Sequence, residues 1–274
     1  MSAFLVVLLP LLVAYAAVGP WIWSSWWFRE SYYSHGGFVV VLGVLLAWRM
    51  RQALGELERD VDRRGWLLLG PGLCCHLIGA ALSIDSLSAL SLALSLPGVV
   101  LLSQGPQRFR RLLPILGLVP FAIPMPLVVT GRLVFELKEI AVSMGLAIAD
   151  ILGVGAVRIG IDVRVQGQVE VLHVADACAG LRSLVSLSTL GYGLAFFLGP
   201  QSGARRWIIL ALAAPIAVFT NAVRIAGMCA LARGFGVPFV RDHGGHDIAN
   251  AAAWILDLVL LLTLDALLSR RARR

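Results

Sequence analysis

The chain has 274 residues, 59% hydrophobic and 14% charged, with a formal net charge of +7 and a mean hydropathy of +0.85. Soluble globular domains carry about 25% charged residues, so this composition excludes an ordinary soluble domain and points to repeated membrane crossing. The excess positive charge is mostly arginine in short stretches between apolar runs, which reads as a topology signal and not as a nucleic-acid surface.

A spanning helix takes about 20 apolar residues, and eight segments are read as spans: about 3–23, 37–50, 66–82, 86–104, 112–130, 181–199, 207–232 and 247–268. The first contains Ala14-Tyr15-Ala16, which resembles a signal-peptide cleavage site. No basic stretch precedes it, however, and Trp21, Trp23, Trp26 and Trp27 close it like an interfacial aromatic belt, so an uncleaved helix is expected. Basic loops stay cytoplasmic. Eight crossings from a cytoplasmic N-terminus put four arginine clusters on that side: 49–64, 108–111, Arg205-Arg206 and the C-terminal tail.

Between the fifth and sixth spans the pattern changes. In 131–152, Arg132, Glu136, Glu139, Ser143 and Asp150 share one helical face. A crossing here would invert every later loop, so an amphipathic helix along the outer interface is expected. The alternative is a ninth span with its polar face inside the bundle. Residues 158–165 then alternate polar and apolar, Gln166-Gly167-Gln168 offers a turn, and Val169–Val174 alternates again, which predicts a β-hairpin. Open strand edges are excluded from lipid, so the hairpin belongs at the aqueous surface. No linker or repeat divides the chain. The expected fold is an all-α polytopic membrane protein, one domain over 1–274, with about eight transmembrane helices, an interfacial amphipathic helix and a small extracytoplasmic β-hairpin.

Cys74, Cys75 and Cys229 lie inside apolar runs, where a thiol usually serves as a small hydrophobe, and Cys74-Cys75-His76 reads as packing within a helix. Cys178 differs. It lies at a predicted helix start with Asp176 and Arg182 beside it, a setting that favours the thiolate. In the predicted topology it sits at the outer interface. Arg224 reaches the same depth from the next helix as a lone charge in an apolar run, and charges so placed are paired or functional. Asp242-His243-Gly244-Gly245-His246-Asp247 opens the last helix, also at that depth. A thiolate attacks a carbonyl, a histidine moves protons and an arginine stabilises developing negative charge. His246 is the expected proton partner and His243 its competitor. Asp242, His243, His246 and Asp247, with His35 or His173, form a rival metal-ligand set, but the spacing matches no zinc-helix motif. No metal or cofactor is expected.

These residues resemble the exosortase/archaeosortase family of integral-membrane transpeptidases. Ala177-Cys178-Ala179-Gly180-Leu181-Arg182-Ser183 resembles the family's A-C-S-G-L-R-S block, with Ala179 for the usual serine. Asn221-Ala222-Val223-Arg224-Ile225 is similar to N-x-x-R-[IV], and His246-Asp247-Ile248-Ala249-Asn250 to H-[DE]-x-x-G, with Asn250 where glycine is common. Tyr33-Ser34-His35-Gly36-Gly37-Phe38-Val39 resembles Y-S-H-G-x-L-V, and Ile123-Pro124-Met125-Pro126 resembles I-P-x-P. The resemblance implies that Cys178, Arg224 and His246 are catalytic, with Arg182, Asn221, His35 and His243 supporting or binding substrate. It further implies a multi-pass inner-membrane enzyme whose site faces the periplasm or cell exterior. Its partners would be exported proteins carrying a tripartite C-terminal sorting signal (a short motif such as Pro-Glu-Pro, an apolar span and a basic tail), together with membrane lipids. Two rival readings are a transporter in which Arg224 and Asp257 line a pathway, and a non-catalytic subunit of an extracellular polysaccharide export system. Polar residues appear scarce at mid-depth in the sequence, which favours the enzyme.

Overall fold

A computed structural model describes residues 2–28, 31–160, 162–173, 180–198 and 203–272. The chain separates into two compact units, Met1–Leu127 and Val128–Arg274.

The first unit opens with α1 (Ser2–Ala14), a 3-10 turn at Tyr15–Ala17 and α2 (Gly19–Trp27). The two helices bend by 63°, where Pro20 at the start of α2 lacks a backbone N–H. Then come α3 (Gly36–Arg49), α4 (Arg51–Gly55), a 3-10 turn at Arg63–Gly65, α5 (Trp66–Ala81), α6 (Asp85–Leu90), α7 (Leu92–Leu116) and α8 (Val119–Ala122). Gly65, Gly72 and Gly79, spaced by seven, let this stretch approach α6 and α7 closely: a Cβ on Gly72 would lie 2.3 Å from Ser95 Oγ, and one on Gly79 2.6 Å from Ser88 N. Small residues at such contacts are how helices associate in lipid.

Two features of this unit depart from the sequence reading. α7 breaks at Gly105 (φ 80°) before Pro106, which ends the predicted 86–104 segment, yet Arg108, Arg110 and Arg111 continue in helix and do not form a loop. Arg108 is buried, donating from Nε to Leu57 O at 3.2 Å and from Nη1 to Gln104 Oε1 at 3.0 Å. The predicted 112–130 span is not one helix. Pro124 and Pro126 bias their neighbours towards extended backbone, and helix stops between Ala122 and Leu127. A polar cluster also sits among these helices: Tyr15 Oη bonds Ser91 and Ser95 Oγ (2.5 and 2.8 Å) and its ring stacks on His76. His76 bonds Ser88 Oγ and Ala14 O at 2.8 and 3.1 Å. His76 is therefore buried packing with both ring nitrogens engaged.

The second unit holds α9 (Leu127–Ile151), β1 (Ala156–Ile159), β2 (Asp162–Val165), α10 (Leu181–Phe197), α11 (Gly203–Phe235), α12 (Val237–Asp242) and α13 (Gly245–Ala272). α11 is the axis. Its N-terminal half buries one stripe (Arg205, Ile209, Ala213, Ala217), and Ile209 and Ala217 share a core with Leu187 and Leu194 of α10 and Leu261 of α13. From Thr220 to Ala232 the helix is enclosed almost all round, with Ile225, Met228 and Cys229 packed against α9, the β-strands and α12.

α9 carries the predicted polar face, with Arg132, Glu136, Ser143 and Asp150 exposed and Glu139 paired to Arg158. One apolar stripe of the helix (Val134, Leu137, Ala141, Val142 and Ala149) is buried in protein, while Val129, Phe135, Ile140, Met144 and Ile151 are exposed beside the polar face. α9 tracks α11 in the same direction, since Gly145 abuts Ala222 and Ile225, and Gly153, eight residues on, accepts from Arg233. The hairpin exists, but its reversal falls at Gly160 (φ 64°), where the sequence reading had continuous strand; Ile159 pairs with Asp162. The predicted turn at Gly167 also occurs, and among the described residues its return segment makes one bridge, Val163 to Leu172. Val163, Val165 and Leu172 are buried, while Val157 and Val169 are exposed.

Among the described residues, Asp85–Ala122, Gly203–Phe235 and Gly245–Arg270 are long and apolar enough to cross a membrane, and the bent pair Val6–Ala17 and Gly19–Trp27 makes up to four. Gly36–Arg49 and Leu181–Phe197 are shorter apolar helices. The fold is that of a polytopic helical membrane protein with a small two-stranded hairpin, and the described residues show three to four of the eight expected spans at full length.

Candidate functional site

α11 has 33 residues, about 50 Å of helix against roughly 30 Å of hydrocarbon. Arg205 and Arg224 are 19 positions apart on it, about 29 Å, so the two arginines are separated by one hydrocarbon thickness. Both are buried. Arg205 donates to Asp265 of α13 and to the Leu194 and Leu198 carbonyls near the end of α10 (3.1 and 3.0 Å). The sequence reading had placed Arg205 in a cytoplasmic loop; it lies in the first turn of α11 instead.

Arg224 meets α13. Its Nη1 donates to Asn250 Oδ1 at 3.0 Å. One turn away on α11 and two turns on along α13, Thr220 Oγ1 donates to Asp257 Oδ1, and both residues are almost fully enclosed. Residues 220 and 224 lie four apart on α11, and 250 and 257 seven apart on α13, so each pair shares a face and the antiparallel helices match them as rungs. His246 is on that same α13 face, four positions before Asn250, half-exposed, with Nδ1 3.4 Å from Asp247 Oδ1. His243 precedes the helix, exposed, with Nδ1 3.3 Å from Pro238 O.

Asn221 is buried next to Arg224. Gly180 caps α10 with φ 85°, and a Cβ there would come within 2.8 Å of Asn221 Nδ2. A side chain at this position would therefore meet both a strained backbone and a clash. Arg182, in the first turn of α10, is half-buried, and its Nε has no hydrogen-bond partner among the described residues. Cys178 lies outside the described residues, and Gly180, two positions on, is the nearest described one. His35 belongs to the first unit. It is half-buried, stacks near Tyr33 (6.3 Å between centroids), and burial holds its pKa below the usual 6.5 despite a hydrogen bond with the Phe121 backbone.

On the exposed side, Arg241 of α12 grips Asp242 (2.9 Å) and Glu170 of the returning strand (3.0 Å). The hydrogen bond from Arg241 keeps the Asp242 carboxyl below its usual value. Among the described residues no three His, Cys, Asp or Glu side chains converge as a metal site, and Asp242 of the rival metal set is turned to Arg241.

A family model for transmembrane exosortases matches residues 23–263. The chain belongs to the transmembrane exosortase family. Comparison with curated proteins and with solved structures returns no match. Exosortases are membrane transpeptidases, and in this exosortase the matched region holds every site residue described above except Asp265.

Sequence reasoning missed several polar residues of this second unit. Lys138 is buried on the protein-facing stripe of α9, opposite the charges that define its polar face. Thr220 and Asn250 were passed over as polar residues near helix charges, and Asp257 entered only as a possible pathway residue. Their spacing held the signal: Thr220 is four before Arg224, Asn250 four after His246, and Asp257 seven after Asn250.

Proposed function

We propose that this exosortase is a cysteine transpeptidase. It cleaves the C-terminal sorting signals of exported proteins at the outer face of the cytoplasmic membrane, through a thioester on Cys178. The observation that carries the reading is Arg224, buried and bonded to Asn250 on the α13 face that also bears His246. Gly180, two positions after Cys178 in sequence, packs on Asn221, three positions before Arg224.

In the first step His246 takes the thiol proton and the Cys178 sulfur attacks the scissile carbonyl carbon. The carbonyl π electrons move to oxygen, and the Arg224 guanidinium stabilises that oxyanion. Collapse breaks the C–N bond, and the leaving amine takes the proton from His246. An acceptor amine or water then attacks the thioester, His246 accepts the acceptor's proton and returns one to the departing sulfur, and Cys178 is regenerated. The placement of His246 on the helix face that meets Arg224, with His243 outside the helix, supports His246 as proton carrier.

The test is membrane-embedded processing of a reporter ending in a short motif, an apolar span and arginines. Cys178→Ala should abolish cleavage while the protein stays in the membrane, and mass spectrometry of the wild type should trap a hydroxylamine-sensitive adduct on Cys178. His246→Ala should cost about 100-fold or more, and His243→Ala little. Retained cleavage by Cys178→Ala would overturn the mechanism.

A further inference from the structure

Asp257 is a carboxylate in the middle of a 26-residue apolar stretch, Gly245–Arg270, and is 1% exposed. An ionisable group at such depth is costly and is kept where its charge is used. Packing alone does not require it, since Ala253 and Leu261 fill the same α13 stripe four positions to either side. Thr220 holds one of its oxygens, while Oδ2 is buried with no hydrogen-bond partner among the described residues. Its partner Thr220 lies one turn from Arg224 on the same face of α11.

From this we infer that Asp257 is a positioning residue: with Thr220 and Asn250 it fixes the Arg224 guanidinium at the site. The inference rests on the transpeptidase reading for its effect on activity, but not for its geometry. Asn250 grips Nη1 through its amide oxygen. Asp257 supplies a negative charge two turns further along α13, and Thr220 orients that carboxylate from the same face of α11 as Arg224. A guanidinium anchored from below keeps its orientation before charge develops on a substrate, so little reorganisation is needed at the moment of reaction.

The experiment is a double-mutant cycle between Asp257→Asn and Arg224→Lys, with two readouts in purified, detergent-solubilised full-length protein. In tripartite-tail processing, Asp257→Asn should lower kcat by about 10- to 100-fold with KM within about threefold. The same change should cost far less in the Arg224→Lys background. Asp257→Glu should recover part of the rate, Thr220→Val should lose about 3- to 10-fold, and Asn250→Gly should act in the same direction. In heat unfolding, read without any substrate, the melting-temperature losses of the two single variants should exceed that of the double variant when summed. Additive unfolding shifts would overturn the inference whether or not the protein proves to be an enzyme. Processing by Asp257→Asn within about twofold of wild type would overturn it too. Failure of the transpeptidase reading shows separately, as absent processing by wild type or retained processing by Cys178→Ala.

Discussion

His35 shows how a single side chain can tie stability to pH. It is half-buried, and burial favours its neutral form, so its folded pKa lies below the 6.5 of an exposed histidine. As pH falls through about 6.5 the unfolded chain takes up the proton first. The folded state is therefore at full relative stability above that value and loses it as the medium acidifies towards the lower folded pKa. Heat unfolding in detergent should show a melting temperature that falls between about pH 7.5 and pH 5. The fall should be smaller in His35→Gln, and equal falls in the two proteins would remove His35 as the cause. Arg224 and His246 stand out locally in the sequence, one as a charge in an apolar run and the other as a histidine at a helix start. Asp257 was visible as an odd charge, but its partner Thr220 is 37 positions away, and no local pattern joins them.

At the scale of elements, helix ends carry much of the specificity. Arg205, with a side chain 1% exposed, satisfies Leu194 and Leu198 carbonyls that α10 leaves open at its C-terminus, and binds Asp265 of α13 as well. Arg205→Ala would leave the Asp265 carboxylate without its cation and those carbonyls without a donor, a loss of about 3–5 kcal/mol. Replacing both charges, Arg205→Met with Asp265→Leu, should recover most of that loss in heat unfolding. A double variant as unstable as the single would show that the carbonyl bonds dominate. Hydropathy found the helices because apolar runs are long, but it averaged across Pro124 and Pro126 and joined two elements into one span. It also took Gly160 for strand interior, since a turn glycine and a strand glycine look alike until the register is known. The α9 polar face was readable from its period; what covers the opposite face was not, because Ala141 and Ala149 are compatible with lipid and with protein alike.

For the molecule as a whole, the sequence argument for orientation rests on where arginines lie relative to helices, and the structure alters that evidence. Arg108 and Arg205 are buried and bonded, so they serve the fold as well as the topology. Arg49, Arg51, Arg63, Arg64, Arg110 and Arg111 are exposed, as the expected orientation requires of residues that mark the cytoplasmic side. The predicted orientation can be read directly in intact cells. With Cys74, Cys75 and Cys229 replaced by serine or alanine, a membrane-impermeant maleimide should label Cys178 from outside, and a reporter fused after Arg274 should be active only in the cytoplasm. Labelling confined to inverted vesicles would reverse the orientation and move the site to the other face.

The narrow inward stripe of α13 has a consequence for how that helix keeps its place. In lipid, apolar side chains gain little by choosing a protein neighbour over acyl chains, and α13 leaves Ile255, Leu258, Val259 and Leu262 exposed. Its rotation and register against α11 are then set by polar contacts such as Asn250 with Arg224, Asp257 with Thr220, and Asp265 with Arg205. A change that kept α13 apolar while removing these contacts would leave the protein inserted and abundant. The helix would be free to turn about its own axis, carrying His246 away from Arg224, and activity would disappear without any loss of protein.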